Sequence, residues 1–476
     1  MKQCNRRAFL RLSALGLGSM ALAACGATPT PQVVEKVVEK EVTKIVASTP
    51  EVVKETVVVQ ETVVVEKPVE VTPAAPAAIT LRFAEGSWVG PEGIKFWTDD
   101  IIPRFELENP GIKAEFESAE APEWEQKVFA QMVAGDAPDV MFLWSSFSLN
   151  VIQKKQALKL NDYFSSDYLK AFYPSMVAGY LIEGDLWGMP KYVSSIAMAY
   201  NKDILDAAGV AYPDESWTWD DYRIALDRCT QRDNSGRVTR GGTYVSYWYL
   251  EPWVWMNGGQ WNNKVVAADK CLLNEAKATE ALRFQYDMIY GENPVSFVPG
   301  SVPDMDEFNV FSSGKVAFME SHSWTVTNYI RENNFRWDFT VYPSKGGKRS
   351  TLTFINGYVA YAGTKHPKEA AKLIEFLTQP WAARAMCLGI LGLQPARYDV
   401  VEAWNTASMG AQAGYNVAAF TKEMDRAGLE PTWTDTGKAN EIINPLWDQI
   451  WVTKETSLEE GLATIVQRVN EALGSS

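Results

Sequence analysis

The sequence predicts an α/β protein with two lobes, each a mostly parallel sheet flanked by helices. Length is the first observation, because 476 residues exceed what a single hydrophobic core usually organises. The second is the order strand, helix, strand, helix, strand between residues 79 and 144, which is typical of a doubly wound sheet. The third is the segment 186–222, where a buried strand precedes two short helices, as expected where a chain passes from one lobe to another.

The composition narrows the class of protein. An apolar content of 46% is typical of globular proteins, and a net charge of −14 argues against nucleic acid or an anionic membrane surface as partner. Most of the 18 Trp and 19 Tyr are expected in the core, and a carbohydrate groove is a natural use for the remainder. The two histidines, His322 and His366, leave little room for a histidine-built metal site or a Ser-His-Asp triad, so we expect neither metal nor cofactor. The five cysteines form no disulfide framework, and pairing of Cys229 with Cys271 stays open.

The N-terminal residues predict export and a lipid anchor. The run Asn5-Arg6-Arg7-Ala8-Phe9-Leu10 resembles a twin-arginine signal, and the apolar stretch 12–24 after it is too short to span a bilayer permanently. Leu22-Ala23-Ala24-Cys25 resembles a lipobox, so residues 1–24 are expected to be a signal peptide and Cys25 to be lipidated. An ordinary signal peptide with a chance cysteine is the alternative. Lipidation predicts a protein held at the outer face of the cytoplasmic membrane.

Residues 25–78 are predicted to be the lipidated cysteine and a tether. From residue 27 onwards this segment is built of Thr-Pro, Val-Val-Glu-Lys, Glu-Thr-Val-Val-Val and Pro-Ala units, and it contains no aromatic residue. Such a composition argues against a packed domain.

Candidate ligand contacts follow the predicted strands of the first lobe. Ligands in doubly wound sheets bind beyond the carboxyl ends of the strands, where Trp88, Glu120 and Trp144 are placed. Core packing is the alternative for the two tryptophans, and a solvated loop charge is the alternative for Glu120. Tyr192, beside the passage between lobes, is expected to form the floor of the cleft.

The passage itself is specified by local signals. The continuous apolar run 196–200 predicts a strand buried on both faces. Asn201 is expected to cap a short helix that ends at Gly209, where a left-handed residue is needed. Thr218 and Asp221 have the spacing of a capping box that opens a second helix.

Several segments, in this order and spacing, resemble the extracellular solute-binding proteins of the family that includes maltose-binding protein. The resemblance covers nearly everything from residue 79 onwards, and these proteins serve ATP-driven sugar importers. The matching segments are 186–222, Gly-Asp-Ala-Pro-Asp-Val at 135–140, Phe-Ser-Ser-Gly-Lys-Val-Ala-Phe-Met-Glu at 311–320, Asn-Gly-Tyr at 356–358 and Leu-Gln-Pro-Ala-Arg at 393–397. In the last of these, Gln394 stands where an apolar residue is common.

This resemblance implies the periplasmic-binding-protein fold with three hinge crossings. It places lobe 1 at 79–194 and 351–394, and lobe 2 at 195–350 and 395–476. It also implies ligand contacts in lobe 2 at Tyr249 and Trp253, within the aromatic run 244–261, and at Glu320 and Trp324.

Two further candidate residues lie in the crossings that the resemblance implies. Asn356 lies in the second crossing and is taken as a ligand contact. Arg397 lies in the third crossing and has two interpretations. It either donates paired hydrogen bonds to a sugar or carboxylate, or it forms a structural ion pair.

Taken together, the family resemblance predicts an exported, monomeric binding protein without enzymatic activity. It would capture a sugar or oligosaccharide between its lobes and deliver it to the transmembrane subunits of an ABC permease. One alternative is a secreted carbohydrate-active enzyme such as a glycosidase, which needs two carboxylates at a defined separation in a cleft. Another is the same fold with a different solute, such as a polyol, a glycerol phosphate ester or a peptide.

Overall fold

The computed structural model describes residues 78–86, 90–119, 123–302 and 309–474. The predicted signal peptide, Cys25 and the tether lie outside these residues, as do the candidate contacts Trp88 and Glu120. Within the described part of the chain, no helix combines the length and the apolar character that a membrane crossing requires.

The strands form two five-stranded sheets and three short ribbons among the described residues. Their bounds are β1 Ile79–Gly86, β2 Ile112–Ala119, β3 Val140–Trp144, β4 Leu181–Ile182, β5 Asp185–Leu186, β6 Met189–Pro190, β7 Tyr192–Val193, β8 Ile196–Asn201, β9 Gln231–Arg232, β10 Val238–Thr243, β11 Val316–His322, β12 Trp337–Thr340, β13 Leu352–Thr353, β14 Asn356–Ala360, β15 Gln394–Pro395 and β16 Gly428–Leu429.

Helices cover the faces of the sheets. Their bounds are α1 Gly90–Lys95, α2 Ile102–Glu108, α3 Glu123–Ala134, α4 Ser145–Gln153, α5 Ser166–Leu169, α6 Pro174–Ala178, α7 Lys202–Ala208, α8 Trp219–Cys229, α9 Glu251–Met256, α10 Ala276–Tyr290, α11 Val326–Glu332, α12 Pro367–Leu377, α13 Pro380–Leu388, α14 Tyr398–Ala407, α15 Met409–Gln412, α16 Ala418–Lys422, α17 Thr436–Trp451 and α18 Leu458–Leu473. A π-helical turn, Phe96–Ile101, joins α1 to α2.

The first sheet has the order β2-β1-β3-β14-β6. Strand β1 pairs in parallel with β2 from Ile79↔Ile112 to Gly86↔Ala119. Strand β14 is antiparallel to β3, and Asn356 lies opposite Trp144. The carboxyl ends of β1 and β3 and the start of β14 therefore lie at one edge of the sheet.

The second sheet has the order β12-β8-β11-β10-β9. Every residue of β8 is buried, as predicted for 196–200. Ile196, Met198 and Tyr200 contribute to one apolar core, whereas Ala197 and Ala199 contribute to another on the opposite face. This alternation confirms that the strand is covered on both sides.

The two-lobed α/β architecture is confirmed, but the description of each sheet as mostly parallel is wrong. In the first sheet β14 is antiparallel to both β3 and β6. In the second sheet β10 and β11 are parallel, whereas β8 is antiparallel to β11 and to β12. The reason is topological: β8 and β14 each enter a sheet from the other lobe, at the edge where their neighbours β11 and β3 end.

The passages between the two sheets are reinforced by paired strands. The chain leaves the first sheet after β6 and enters the second with β8, returns between β12 and β14, and leaves again after β15. Strand β7 pairs with β15, and β13 pairs with β16. These passages match the three predicted crossings, whereas the contribution of β16 was missed. Met424 and Leu429, from the stretch assigned to lobe 2, join the apolar core of the first sheet. The exact lobe boundaries stay a prediction.

The predicted caps after the first passage are confirmed. The Asn201 side chain accepts hydrogen bonds from the backbone N–H groups of Asp203 and Ile204, at 3.0 and 3.1 Å. Helix α7 ends at Gly209 with φ of +62°. Thr218 and Asp221 form the reciprocal capping box of α8. The thiols of Cys229 and Cys271 are free, so the pairing left open above does not occur.

Candidate functional site

The carboxyl end of β11 meets the chain that leaves β7 at the first crossing. The Ser194 hydroxyl lies 3.1 Å from His322 Nδ1 at the carboxyl end of β11. The Ser323 hydroxyl donates to the Val193 carbonyl at 3.1 Å, and the Ser323 N–H donates to the Ser195 carbonyl at 2.9 Å. These bonds join the end of β11 to the segment that connects the sheets, so we take this region as the candidate ligand cleft.

Trp144 is the last residue of β3, and Tyr192 is the first residue of β7, which leads into the first crossing. Both are partly buried, and their rings lie 6.1 and 5.9 Å from the ring of Phe142. Asn356, opposite Trp144 in the sheet, is 3% exposed. Its side-chain amide donates to the Phe354 carbonyl at 3.2 Å, so it helps to hold the loop before β14.

A buried ion pair lies beside these aromatics. Lys191 Nζ lies 2.6 Å from Glu85 Oε1, and both side chains are almost fully buried. The same ammonium lies 4.2 Å from the centre of the Phe142 ring, which favours the charged form. Burial nevertheless lowers the pKa of Lys191. Sequence reasoning missed both residues, although a lysine between Pro190 and the crossing was a visible signal.

The second-lobe side carries a cluster of rings around His322. The His322 ring lies 4.7 Å from Tyr249 in a T-shaped contact and 5.4 Å from Trp324 in a stacked one. It also lies 5.3 Å from Phe354, which belongs to the second crossing. Tyr249 and Trp324 are both partly buried, so the structure brings together two predicted ligand contacts from distant parts of the chain. Burial lowers the pKa of His322 to about 3.

Three glutamates lie near one another on this side. Glu320, a predicted contact on β11, is 7% exposed and accepts a hydrogen bond from the Trp253 indole. Glu251 is the first residue of α9, and the negative charges of Glu430 and Glu320 contribute to raising its pKa. Burial raises the pKa of each of these carboxyl groups to about 8. Glu251 is buried and Glu430 is partly buried. Sequence reasoning missed both, because an isolated glutamate has no local signal for its surroundings.

Two predicted contacts, Trp253 and Arg397, are already engaged with groups of the protein. Trp253 is 1% exposed and packs against Trp219, Tyr222 and Tyr342, so its ring offers no face to a ligand. Its indole N–H fixes Glu320, which makes it a support for the candidate site.

Arg397 is the second of these residues. Its guanidinium donates to both carboxylate oxygens of Asp399, at 3.0 and 2.8 Å, and to the Thr378 carbonyl at 3.1 Å. It also lies over the Phe172 ring. Three of the five guanidinium N–H donors of Arg397 are thus directed to protein groups, which favours the structural ion pair of the two interpretations; the ligand contact stays a prediction.

Gln394, the unusual residue in the third crossing, ties the crossings together. Its side-chain oxygen accepts from the Ser195 hydroxyl at 2.7 Å, and its side-chain nitrogen donates to the Phe420 carbonyl at 3.2 Å. An apolar residue at this position would make neither bond. The substitution noted in the sequence therefore adds a polar link between the first and third crossings.

No group of three or more His, Cys, Asp or Glu side chains in the described ranges is arranged to hold a metal ion. What the cleft offers is aromatic faces, buried carboxyl groups and backbone groups at strand ends. Such a set suits an organic ligand that carries apolar faces and several hydrogen-bonding groups.

Residues 90–383 match the model of the bacterial extracellular solute-binding protein family. A putative binding protein of Brucella abortus is 26% identical over 295 residues, which are 60% of this chain and 69% of that protein. An arabinooligosaccharide-binding protein of Halalkalibacterium halodurans is 27% identical over 271 residues, 56% of this chain and 59% of that protein.

The fold is similar to that of solved binding proteins. A substrate-binding protein of an ABC transporter from Listeria monocytogenes, solved with cycloalternan, superposes with a TM-score of 0.71. The superposition covers 84% of this chain and 100% of that one, at 21% identity. Because the family model spans more than half of the chain and the two-lobed fold agrees with it, this protein belongs to the bacterial extracellular solute-binding proteins.

Proposed function

We propose that this protein captures a sugar or oligosaccharide between its two lobes and delivers it to the transmembrane subunits of an ABC permease. The observation that carries the proposal is the ring cluster of Tyr249, His322 and Trp324 beside buried carboxyl groups, at the crossing between the lobes. Sugars offer flat C–H faces and hydroxyl groups, which aromatic rings and carboxylates bind respectively. The relatives named for an arabinooligosaccharide and solved with cycloalternan support a carbohydrate ligand.

The energetics are adequate for such a ligand. Covering one aromatic face removes on the order of 100 Å² of apolar surface from water, or about 2.5 kcal/mol. Two or three such faces and several hydrogen bonds of about 1 kcal/mol each favour binding by roughly 10 kcal/mol before the cost of association is subtracted.

We propose Trp144, Tyr192, Tyr249 and Trp324 as the stacking residues, and Glu320 and Asn356 as polar groups of the site. Trp88 and Glu120, which lie outside the described residues, stay in this proposal as candidates from the first lobe. Trp253 and Arg397 are not part of it, for the reasons given above.

Calorimetry and small-angle scattering across a panel of oligosaccharides test the proposal. We expect heat of binding and a smaller radius of gyration with at least one member, because a ligand that bridges the lobes stabilises the closed form. Tyr249→Ala is expected to weaken that binding at least tenfold. The exposed Tyr212→Ala, on the same lobe, serves as the control and leaves it unchanged. A panel that produces neither heat nor compaction would contradict the function.

We propose that the protein binds its ligand without converting it. Chromatography of each sugar after prolonged incubation with the protein is expected to recover it intact. A product whose formation stops in Glu320→Gln would instead support the glycosidase alternative.

We further propose export through the twin-arginine signal and anchoring through lipidated Cys25, with the protein acting as a monomer. Cys25→Ser is expected to move the protein from the membrane fraction to the medium, as read by immunoblot of the two fractions. Equal membrane retention of this variant would contradict the anchor.

A further inference from the structure

We infer that the cleft prefers a sugar ligand that carries a basic nitrogen, such as an amino sugar or an amine-linked pseudo-sugar, and that Glu251 receives this nitrogen. The inference rests on the proposed function and names the ligand class for the same site. Two buried polar atoms without partners and a local excess of carboxyl groups carry it.

Three chain segments bring the carboxyl groups together. Glu251 begins α9, and Trp253 on the same helix donates to Glu320 of β11.

The Glu430 N–H donates to the Thr353 carbonyl at 2.9 Å, which places Glu430 directly after the β13–β16 ribbon. The Trp255 ring packs over Gly428, so α9 lies against that ribbon. These contacts explain why the charges of both Glu320 and Glu430 act on Glu251.

Two polar atoms here have no hydrogen-bond partner within the described residues. Glu251 is 5% exposed, and its Oε2 is one of them. His322 is 7% exposed, and its Nε2 is the other, since Ser194 occupies the Nδ1 side of the ring. The His322 ring contacts Tyr249, which is only two residues before Glu251, so this contact links the two residues that carry these atoms. A buried polar atom without a partner costs free energy that a ligand would recover.

The charges around Glu251 select the kind of ligand. Among the described residues, two further carboxyl groups and no cation act on the ionisation of Glu251. Within the same ranges, Glu320 receives hydrogen bonds from neutral groups, and no cation favours its ionised form. A neutral hydroxyl would satisfy one acceptor atom, whereas an ammonium supplies a positive charge and several N–H donors at once. The rings of Tyr249 and Trp324, which contact His322, would also favour a cation over a neutral group.

The test uses pairs of probes that differ in the nitrogen. At pH 7, the glucosamine trisaccharide is compared with its N-acetylated form, and acarbose with maltotetraose, by calorimetry on the purified protein. We expect the basic member of at least one pair to bind at least tenfold more tightly than its neutral partner. Glu251→Gln is expected to reduce that ratio to about one, whereas Glu441→Gln, an exposed change on α17, leaves it unchanged.

A second measurement uses the unsubstituted protein, so it does not depend on whether a variant folds. Because burial raises the pKa values of Glu251, Glu320 and Glu430 to about 8, these groups hold protons at pH 7, and a bound cation would displace some of them. The heat of binding of the basic probe is therefore expected to change with the ionisation enthalpy of the buffer, in the sense of proton release. The heat for the neutral partner is expected to change less.

A failure of the inference can be distinguished from a failure of the proposed function. If the neutral sugars of the panel bind and compact the protein while the basic members bind equally or more weakly, the inference is overturned and the proposed function stands. Retention of the preference in Glu251→Gln also overturns the inference. If no sugar of either kind binds, both are overturned.

Discussion

At the residue scale, the buried pair of Lys191 and Glu85 makes the clearest energetic prediction. Lys191→Met leaves the Glu85 carboxylate in a site that is 0% exposed, without its cation. Removing one partner of a buried pair typically costs about 3–5 kcal/mol, so the unfolding free energy in guanidinium chloride is expected to fall by that amount. Lys170→Met, which breaks the exposed pair with Asp167, is expected to change it by less than about 0.5 kcal/mol. Adding Glu85→Gln to Lys191→Met should restore part of the loss; no recovery would contradict the explanation.

The buried carboxyl groups also predict how stability depends on pH. Burial raises the pKa values of Glu251, Glu320 and Glu430 from 4.5 to about 8, so between these values the folded state holds protons that the unfolded chain releases. The contribution of these groups to the unfolding free energy is therefore largest below about pH 4.5 and is lost as pH rises towards about 8.

For the ligand-free protein, we expect Glu251→Gln to reduce the decline in unfolding free energy between pH 6.5 and 8, by up to about 1.4 kcal/mol per pH unit. His322 affects the unfolding free energy in the opposite direction and over a different pH range. Its pKa is lowered from 6.5 to about 3, so its contribution is lost as pH falls through that interval. Urea denaturation at a series of pH values, with Glu441→Gln as control, measures both. An unchanged slope in Glu251→Gln would contradict the assignment.

At the scale of elements, helix caps were predictable because their chemistry is local. Asn201, Gly209 and the pair Thr218 and Asp221 each act within a few residues of their place in the chain. The direction of β8 and the position of β16 depend on pairing with remote strands, which no local pattern encodes.

The aromatic run 244–261 shows the same limit for the site. Seven of its 18 positions carry an aromatic ring, three of them consecutive at 247–249, so their spacing alone does not separate a buried ring from an open one. Packing on Tyr222 and Tyr342 buries Trp253, while Tyr249 is left at the cleft.

The cap of α7 gives a prediction at this scale. Asn201→Ala removes the oxygen that accepts from Asp203 and Ile204, which leaves two backbone N–H groups without a partner. We expect a loss of about 1–2 kcal/mol in unfolding free energy by chemical denaturation. Asn201→Ser, which keeps an acceptor oxygen at the cap, should lose clearly less, and equal losses would show that the cap is not the cause.

At the scale of the whole molecule, the proposed closure links affinity, stability and shape. A ligand at 100 times its Kd should raise the unfolding free energy by about 2.7 kcal/mol if it binds only the folded protein. Trp324→Ala removes one stacking face, worth about 2.5 kcal/mol, and should weaken binding roughly 70-fold.

At the same ligand concentration, the stabilisation of Trp324→Ala should then fall to about 0.5 kcal/mol, and about three fifths of the molecules should remain bound. Scattering should report about three fifths of the full compaction, because one equilibrium governs occupancy and closure. Trp324 is partly buried and stacks on His322, so the ligand-free variant should lose only a modest part of its own stability, measured separately as a baseline. If stabilisation falls while compaction stays complete, ligand binding and lobe closure are not coupled through this wall.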